Sequence, residues 1–270
     1  MTRLFFAAGF TADLVRNFSD IAVGEPYSEA RLDQFIRRLN TSGYFASVQA
    51  TIDPDPAQAE EATVTMAFIE APTRRLEAGI GYSTDTEYRL SANYVNLDTG
   101  GTGLQFYADA RIETKIQEGS LRFVRPPTRG GWIDTFTVQL QGTDIENLRT
   151  TTSSISARRR ALDERRTLAF GIGFYNDEQT PSGGTPAYSH ALYLDGEYTW
   201  RDVDNLLEPT RGWMANVQLG GGVPGASTER FARVIGRAVA WYPVSKSNSV
   251  SARVEAGAVL ADSRDGIPSN

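Results

Sequence analysis

From Arg75 to Leu260 the sequence runs through about eleven segments in which apolar and polar residues alternate, separated by turns rich in glycine, proline and aspartate. Six show the pattern most cleanly. Their apolar rows are Leu76, Ala78, Ile80, Tyr82; Tyr88, Leu90, Ala92, Tyr94; Leu104, Phe106, Ala108, Ala110, Ile112; Leu168, Phe170, Ile172, Phe174; Trp213, Ala215, Val217, Leu219; and Val250, Ala252, Val254, Ala256, Ala258. Successive side chains of a strand point to opposite faces, so each row makes one surface and the intervening residues make the other. The intervening rows read Arg75, Glu77, Gly79, Gly81, Ser83; Arg89, Ser91, Asn93; Gln105, Tyr107, Asp109, Arg111, Glu113; and Ser249, Ser251, Arg253, Glu255, Gly257, which want water. The fold class is mainly β, in antiparallel sheet.

A soluble sandwich alternates in the same way, and strand length separates the two solutions. Crossing a bilayer with a tilted strand takes roughly 9–11 residues, against about 5–6 for a common soluble strand. Several segments reach the longer figure. Aromatic residues near the segment ends, Tyr82, Tyr88, Tyr94, Phe123, Trp132, Tyr175, Trp200, Trp213, Trp241 and Tyr242, suit the interfacial girdles of a transmembrane barrel. A mean hydropathy of -0.34 agrees, because half of such a barrel faces water. No apolar run is long enough for a membrane helix.

The chain has no cysteine, which excludes disulfides and thiolate metal sites. A net charge of -6 gives no support for nucleic-acid binding. The basic cluster Arg158, Arg159, Arg160, Arg165, Arg166 straddles a turn with Asp163 and Glu164 and reads as a solvated rim. His190, the one histidine, sits by a loop, where a catalytic base has no evident partner. Asp109, Glu113, Asp195 and Glu197 face the wet side as a solvated or salt-bridged wall rather than a glycosidase pair. Gly100-Gly101, Gly130-Gly131 and Gly220-Gly221-Gly222 read as turns and bulges at strand ends, not phosphate loops, because no helix follows them. No enzyme chemistry and no cofactor are expected.

Residues 11–71 differ in pattern. Ala12 to Phe18 and Ser28 to Leu39 carry helical spacing, with Leu32, Phe35, Ile36 and Leu39 on one face. Ser28 is the expected N-cap and Gly43 the expected stop. Strands follow through Phe45, Val48, Ala50 and through Val64, Met66, Phe68. The order helix, helix, strand, strand describes a small α+β module abutting the barrel at Glu70 to Thr73. With that module on the periplasmic side, turns near 98–103, 125–131, 162–166 and 244–248 fall on its side, and a long irregular loop, Asn176 to Ser189, falls outside. The start, Met1 to Phe10, has one positive charge and too brief an apolar stretch for a signal peptide, so the sequence reads as a fragment.

The stretch GEPYSEARLDQFIRRLNTSGYFASVQATID, Gly24 to Asp53, resembles the last POTRA repeat of outer-membrane assembly proteins, through Gly24, Tyr27 and the run Gly43, Tyr44, Phe45. Leu76 to Ser83 resembles the first barrel strand that follows, and Arg201 to Trp213, with Asp204, Asn205, Pro209, Thr210 and Gly212, resembles the family's D-N-x-x-x-P-T-R-G turn. In this order these motifs resemble the superfamily of BamA and TamA, with TamA-type members the nearer match because the external loops are short and the turns poor in acids. The resemblance implies a partial POTRA domain over 1–71 and the N-terminal part of an outer-membrane β-barrel over 72–270, about 11 of an expected 16 strands. The internal V-R-G-Y loop of the family is not found, so the chain reads as a member truncated at both ends.

What the resemblance implies about function is insertion or translocation of client β-barrel or autotransporter proteins in the bacterial outer membrane, with the POTRA domain in the periplasm. Outer-membrane lipid, the clients and a periplasm-spanning TamB-like protein are the implied partners. Client strands would pair with the first barrel strand, Leu76, Glu77, Ala78, Gly79, Ile80, Gly81, Tyr82, at a weak lateral seam. Glycine weakens a strand by about 0.5–1 kcal/mol relative to alanine, which favours a seam there. Relief of crowding explains Gly79 and Gly81 equally well, and both readings stand at this point. The Pro209 to Gly212 turn reads as structural. The helix face Ser28 to Leu39 would be a docking surface in the family, although its apolar stripe reads as core. A passive secretion pore of the two-partner type and a soluble β-rich binding protein are the competing functions.

Overall fold

In a computed structural model, residues 12–21, 25–52, 64–84, 87–161, 163–245 and 248–261 are described. An N-terminal module holds α1 (Ala12–Asn17), α2 (Glu29–Asn40), β1 (Phe45–Ile52) and β2 (Val64–Glu70). Eleven further strands follow: β3 (Arg74–Ser83), β4 (Glu87–Thr99), β5 (Leu104–Glu113), β6 (Ile116–Val124), β7 (Trp132–Ile145), β8 (Leu148–Ala161), β9 (Arg166–Pro181), β10 (Ala187–Val203), β11 (Gly212–Ser227), β12 (Phe231–Pro243) and β13 (Ser249–Ala261). They form one antiparallel sheet in strict sequence order, a meander whose margins, β3 and β13, do not meet. The shortest strand has 9 residues and the longest 17, long enough for tilted bilayer crossings.

The register places every apolar row of the sequence on one face. Ile80 opposes Leu90, Leu90 opposes Ile112, Leu168 opposes Tyr198, and Val217 opposes Tyr198 from the other side. That face is open: Ile80 is 90% exposed and Leu76 72%. Burial falls instead on the polar face, at Gln105, Glu113, Thr199 and Asn216. The sheet therefore curls around its polar face, inside out relative to a water-soluble protein, as an apolar environment outside requires.

Charges on the enclosed polar row are balanced mainly by ion pairs, while Asn216 Oδ1 and both Glu113 carboxylate oxygens accept no hydrogen bond. Glu113 sits between Arg89 Nε at 2.5 Å and Arg111 Nε at 3.6 Å, and Arg111 also reaches Glu118 at 3.0 Å. Arg158 pairs with Asp195 and, at 2.8 Å, with Glu197, which accepts from Asn216 Nδ2 at 2.9 Å. Arg237 and Arg253 share Glu255 at the β12–β13 end. The wall reading of Glu113, Asp195 and Glu197 thus describes their geometry, while Asp109 accepts from Ser120 Oγ at 3.3 Å.

The module has its own core, Leu14, Val15, Phe18, Leu32, Phe35, Leu39, Tyr44, Phe45, Val48, Val64 and Met66, and Leu97 of β4 joins it. The amphipathic spacing of α2 supplies Leu32, Phe35 and Leu39, and the β1–β2 hairpin packs beneath.

Several expectations are corrected. Asn176 to Ser189 is not a long loop: β9 runs to Pro181, β10 starts at Ala187, and Gln179 pairs with Ala187. Polar residues on both faces conceal the period there, and side chains support the strand, with Thr152 Oγ1 donating to Asp177 Oδ1 at 2.5 Å and Gln179 Nε2 donating to Asp177 Oδ2 at 2.8 Å. His190 consequently lies within a strand, its Nδ1 3.2 Å from Thr228 Oγ1. Gly220, Gly221 and Gly222 lie inside β11, where the Phe231 ring covers Gly222, although a bulge does occur opposite, between Ala191 and Tyr193. The basic cluster divides: Arg158 joins the enclosed ion pairs, whereas Arg159 pairs bidentately with Asp134 on the opposite face at 2.6 and 2.8 Å. Tyr175 is buried with Ala191 and Phe231 rather than exposed in a girdle. Ser28 stands at the N-cap position without a side-chain cap bond, and α2 ends at Asn40, before Gly43. Met1 to Phe10, Gly24 and the final residues 262–270 lie outside the described residues.

Reversing one side chain on each face tests this orientation. Ile172→Arg is expected to cost about 2–4 kcal/mol in urea-driven unfolding from lipid vesicles, the penalty for a cation on a lipid-facing strand. Gln139→Arg, on the polar face, is expected to leave the midpoint nearly unchanged. Equal losses for both would contradict the assignment of faces.

Candidate functional site

An antiparallel strand offers backbone donors and acceptors along both sides, and a margin leaves one row without a partner strand. Among the described residues β3 is such a margin, pairing only with β4. Soluble proteins blunt margins with proline, bulges or a covering element. None of these interrupts β3: its register runs unbroken from Arg74 opposite Asn96 to Ser83 opposite Glu87, and 74–83 holds no proline. Its two charges on the polar face, Arg75 and Glu77, pair with each other at 3.0 Å. Leu76, Ala78, Ile80 and Tyr82 line the apolar side, and the Tyr82 ring meets Tyr88 edge-on at 5.4 Å.

The two glycines of β3 are not equivalent. A Cβ at Gly79 would lie 2.8 Å from Ser91 Oγ, a close approach that a serine rotamer must relieve. A Cβ at Gly81 would meet nothing nearer than Arg89 Cβ at 3.9 Å. Crowding at Gly79 is thus relieved by turning the Ser91 hydroxyl, and at Gly81 there is none.

The segment between β10 and β11 is built around one carboxylate. Asp204 Oδ1 accepts from the Thr210 and Arg211 amides, each at 3.0 Å, and Oδ2 accepts from Thr210 Oγ1 at 2.6 Å. Asn205 Oδ1 accepts from the Leu207 amide at 2.9 Å. These bonds, the Thr210 hydroxyl first and then the Arg211 amide, hold the Asp204 carboxyl well below the usual carboxylate range. Gly212 closes the turn at φ +113°, where a Cβ would lie 2.1 Å from the Asp202 carbonyl oxygen, so only glycine fits. Asp204, Asn205, Thr210 and Gly212 each have a role here, and Pro209 fixes φ one residue before Thr210.

The module meets the sheet beside β3. Tyr44, only 2% exposed, donates its phenol to the Gly103 carbonyl at 2.5 Å, and Gln105 Nε2 donates to the Ser42 carbonyl at 2.8 Å. Asp98 Oδ1 shapes the turn by accepting from the Gly103 amide at 2.6 Å. Burial pushes the Tyr44 phenol up, which keeps it a donor. Of the other motif residues, Phe45 is buried in the module core and Tyr27 is half exposed. Gly103, Gln105 and Asp98 carry no sequence signal of this contact: Leu97 to Gly103 reads only as a turn.

Comparison with known proteins follows this geometry. Residues 74–270 match the model of the Omp85 superfamily domain. The chain is 23% identical over 261 residues to the outer membrane protein assembly factor BamA of Neisseria meningitidis serogroup B (strain ATCC BAA-335 / MC58), covering 86% of this chain and 32% of that protein. Its fold is similar to a crystal structure of BamA from Haemophilus ducreyi lacking POTRA domains 1–3, with a TM-score of 0.64 at 14% identity, over 95% of this chain and 54% of that one. CdiB from Escherichia coli gives a TM-score of 0.62 at 13% identity, over 97% and 54%. The chain thus spans about a third of the curated relative, 32%, and about half of these solved structures, 54%.

The Asp204 turn yields a direct test. Because the folded pKa is depressed, the carboxylate's contribution is complete above about pH 4 and is lost only as pH falls through the lowered value. Asp204→Ala is expected to speed hydrogen exchange at the Thr210 and Arg211 amides at neutral pH, while the unsubstituted turn keeps its protection at pH 5. Unchanged exchange in the variant would show that these bonds do not hold the turn.

Proposed function

The chain belongs to the Omp85 superfamily, and from that premise we propose that it is an outer-membrane protein assembly factor that receives β-strands of client proteins at β3. The carrying observation is the margin itself, ten residues of regular strand with neither proline nor bulge, next to a module anchored at the neighbouring turn. Pairing a client strand there satisfies a backbone row that hydrocarbon cannot, so the free energy of insertion comes from strand addition without a nucleotide or cofactor.

In this reading residues 1–71 are a partial POTRA domain on the periplasmic side, and 72–270 are the N-terminal part of the barrel in the outer membrane. Two helices followed by a β1–β2 hairpin support the first assignment, and the apolar open face supports the second. The connections on the side away from the module, residues 114–115, 146–147, 182–186 and 228–230, are short, which favours a TamA-type member with autotransporter clients and a TamB-like partner. Gly81 fits an openable seam, since nothing crowds it.

The enclosed ion pairs favour a second reading, a passive secretion pore of the two-partner type, because a polar wall suits an aqueous conduit. Client trapping discriminates the two. In vesicles holding the full chain, single cysteines at Glu77, Ala78 or Ile80, in a sequence with none of its own, are expected to form disulfides with a cysteine in an arriving client strand. Cysteines at Phe170 or Ile172 in mid-sheet are not. Gly81→Val is expected to slow insertion without loss of fold. Equal trapping at both sets, with conductance but no client dependence, would favour the pore.

A further inference from the structure

Tyr44 belongs by sequence to the module core, yet it binds two other parts of the protein at once. Its carbonyl accepts the Ala71 amide at 2.9 Å, tying down the segment that leads into β3. Its phenol reaches the Gly103 carbonyl between β4 and β5. A second bond runs in parallel, from Gln105 Nε2 to the Ser42 carbonyl, and the same Gln105 accepts from Tyr107 Oη at 3.0 Å through Oε1. Tyr107 in turn lies under the Arg122 guanidinium, 4.4 Å from its ring centre, on the polar face. Gly103 is where this docking requires a small residue: a Cβ there would lie 3.3 Å from Leu14 Cδ1 of the module and 3.2 Å from Pro126 Cγ of the next turn on that edge. Outside this patch, the Arg37 to Glu164 ion pair at 3.7 Å is long and exposed, and contributes little.

A module attached through the short segment Ala71 to Thr73 and packed onto Leu97 of β4 keeps one angle only if further points beyond that hinge are fixed. We infer that Tyr44 is a positioning residue: with Gln105 it latches the module to the β4–β5 turn, and so sets the angle at which the module presents a client strand to β3. This rests on the assembly reading above. Both bonds are made in a buried patch, where each contributes about 0.5–1.5 kcal/mol net, and their loss releases rotation without unfolding either part. Through Gln105 and Tyr107 the latch extends by hydrogen bonds to the polar face, where Arg122 lies over the Tyr107 ring.

The test uses the full chain in lipid vesicles, with spin labels on Asp33→Cys in α2 and Glu208→Cys between β10 and β11, both exposed. The parent protein is expected to give one narrow distance distribution. Tyr44→Phe, which keeps the ring, and Gln105→Leu, which keeps the volume, are each expected to raise the undocked population up to about tenfold, with secondary structure and thermal midpoint close to the parent. The double variant is expected to broaden the distribution further and to lower client insertion. Unchanged distributions in both single variants overturn the latch. A broadened distribution with parent-level insertion overturns its positioning role and leaves the assembly reading standing. Absence of client insertion by the parent defeats the assembly reading instead, while the distances still decide whether the latch exists.

Discussion

Backbone N–H and C=O groups surrounded by hydrocarbon have no water to bond, and each one left unpaired costs several kcal/mol. That constraint organises the chain. Eleven strands in sequence order satisfy one another by the shortest connections, as the Ile145 to Leu148 hairpin does with two residues between its strands. Among the described residues, the outer rows of β3 and β13 are the ones left without a neighbour in the sheet. The same constraint turns the usual distribution of side chains inside out, exposing Ile80, Leu76 and Leu260 while enclosing Glu113 and Asn216. Enclosed charges then need partners: for Glu113, Arg89 on the adjacent strand and Arg111 on its own strand supply them, and for Glu197, Arg158 reaches across the intervening β9.

The margin and the module are linked by position in the chain. One residue of β4 beyond the β3 pairing, Leu97 packs into the module core, and six residues further the Gly103 carbonyl receives the Tyr44 phenol. The module beside β3 is therefore held to the sheet at two points rather than one. A Cβ at Gly79 would need the Ser91 hydroxyl to turn, whereas at Gly81 it would meet only ordinary contact, so the two glycines of one face differ in the space around them.

The period-two pattern made the strands legible, because in Leu168, Phe170, Ile172, Phe174 or Val250 to Ala258 the alternation is between apolar and polar residues. It failed where both faces are polar. Asn176, Asp177, Glu178 and Gln179 form regular strand, held by Thr152 and Tyr188 rather than by any apolar row. The glycines of β11 misled for a related reason, since the ring that covers Gly222 comes from Phe231, on another strand. The Asp204 turn was readable as a motif, although its hydrogen bonds were not. The module's junction with the sheet was hidden, because Tyr44 and Gly103 are 59 residues apart and neither has a neighbour that signals the contact.

β3 as the strand-receiving margin is most directly tested by hydrogen exchange in lipid vesicles, with and without a client β-hairpin. Amides of Leu76 to Tyr82 are expected to exchange faster than those of β5 to β8 in the resting protein and to become protected when the hairpin is added. Protection that leaves β3 unchanged, or that falls on mid-sheet strands instead, would contradict the account.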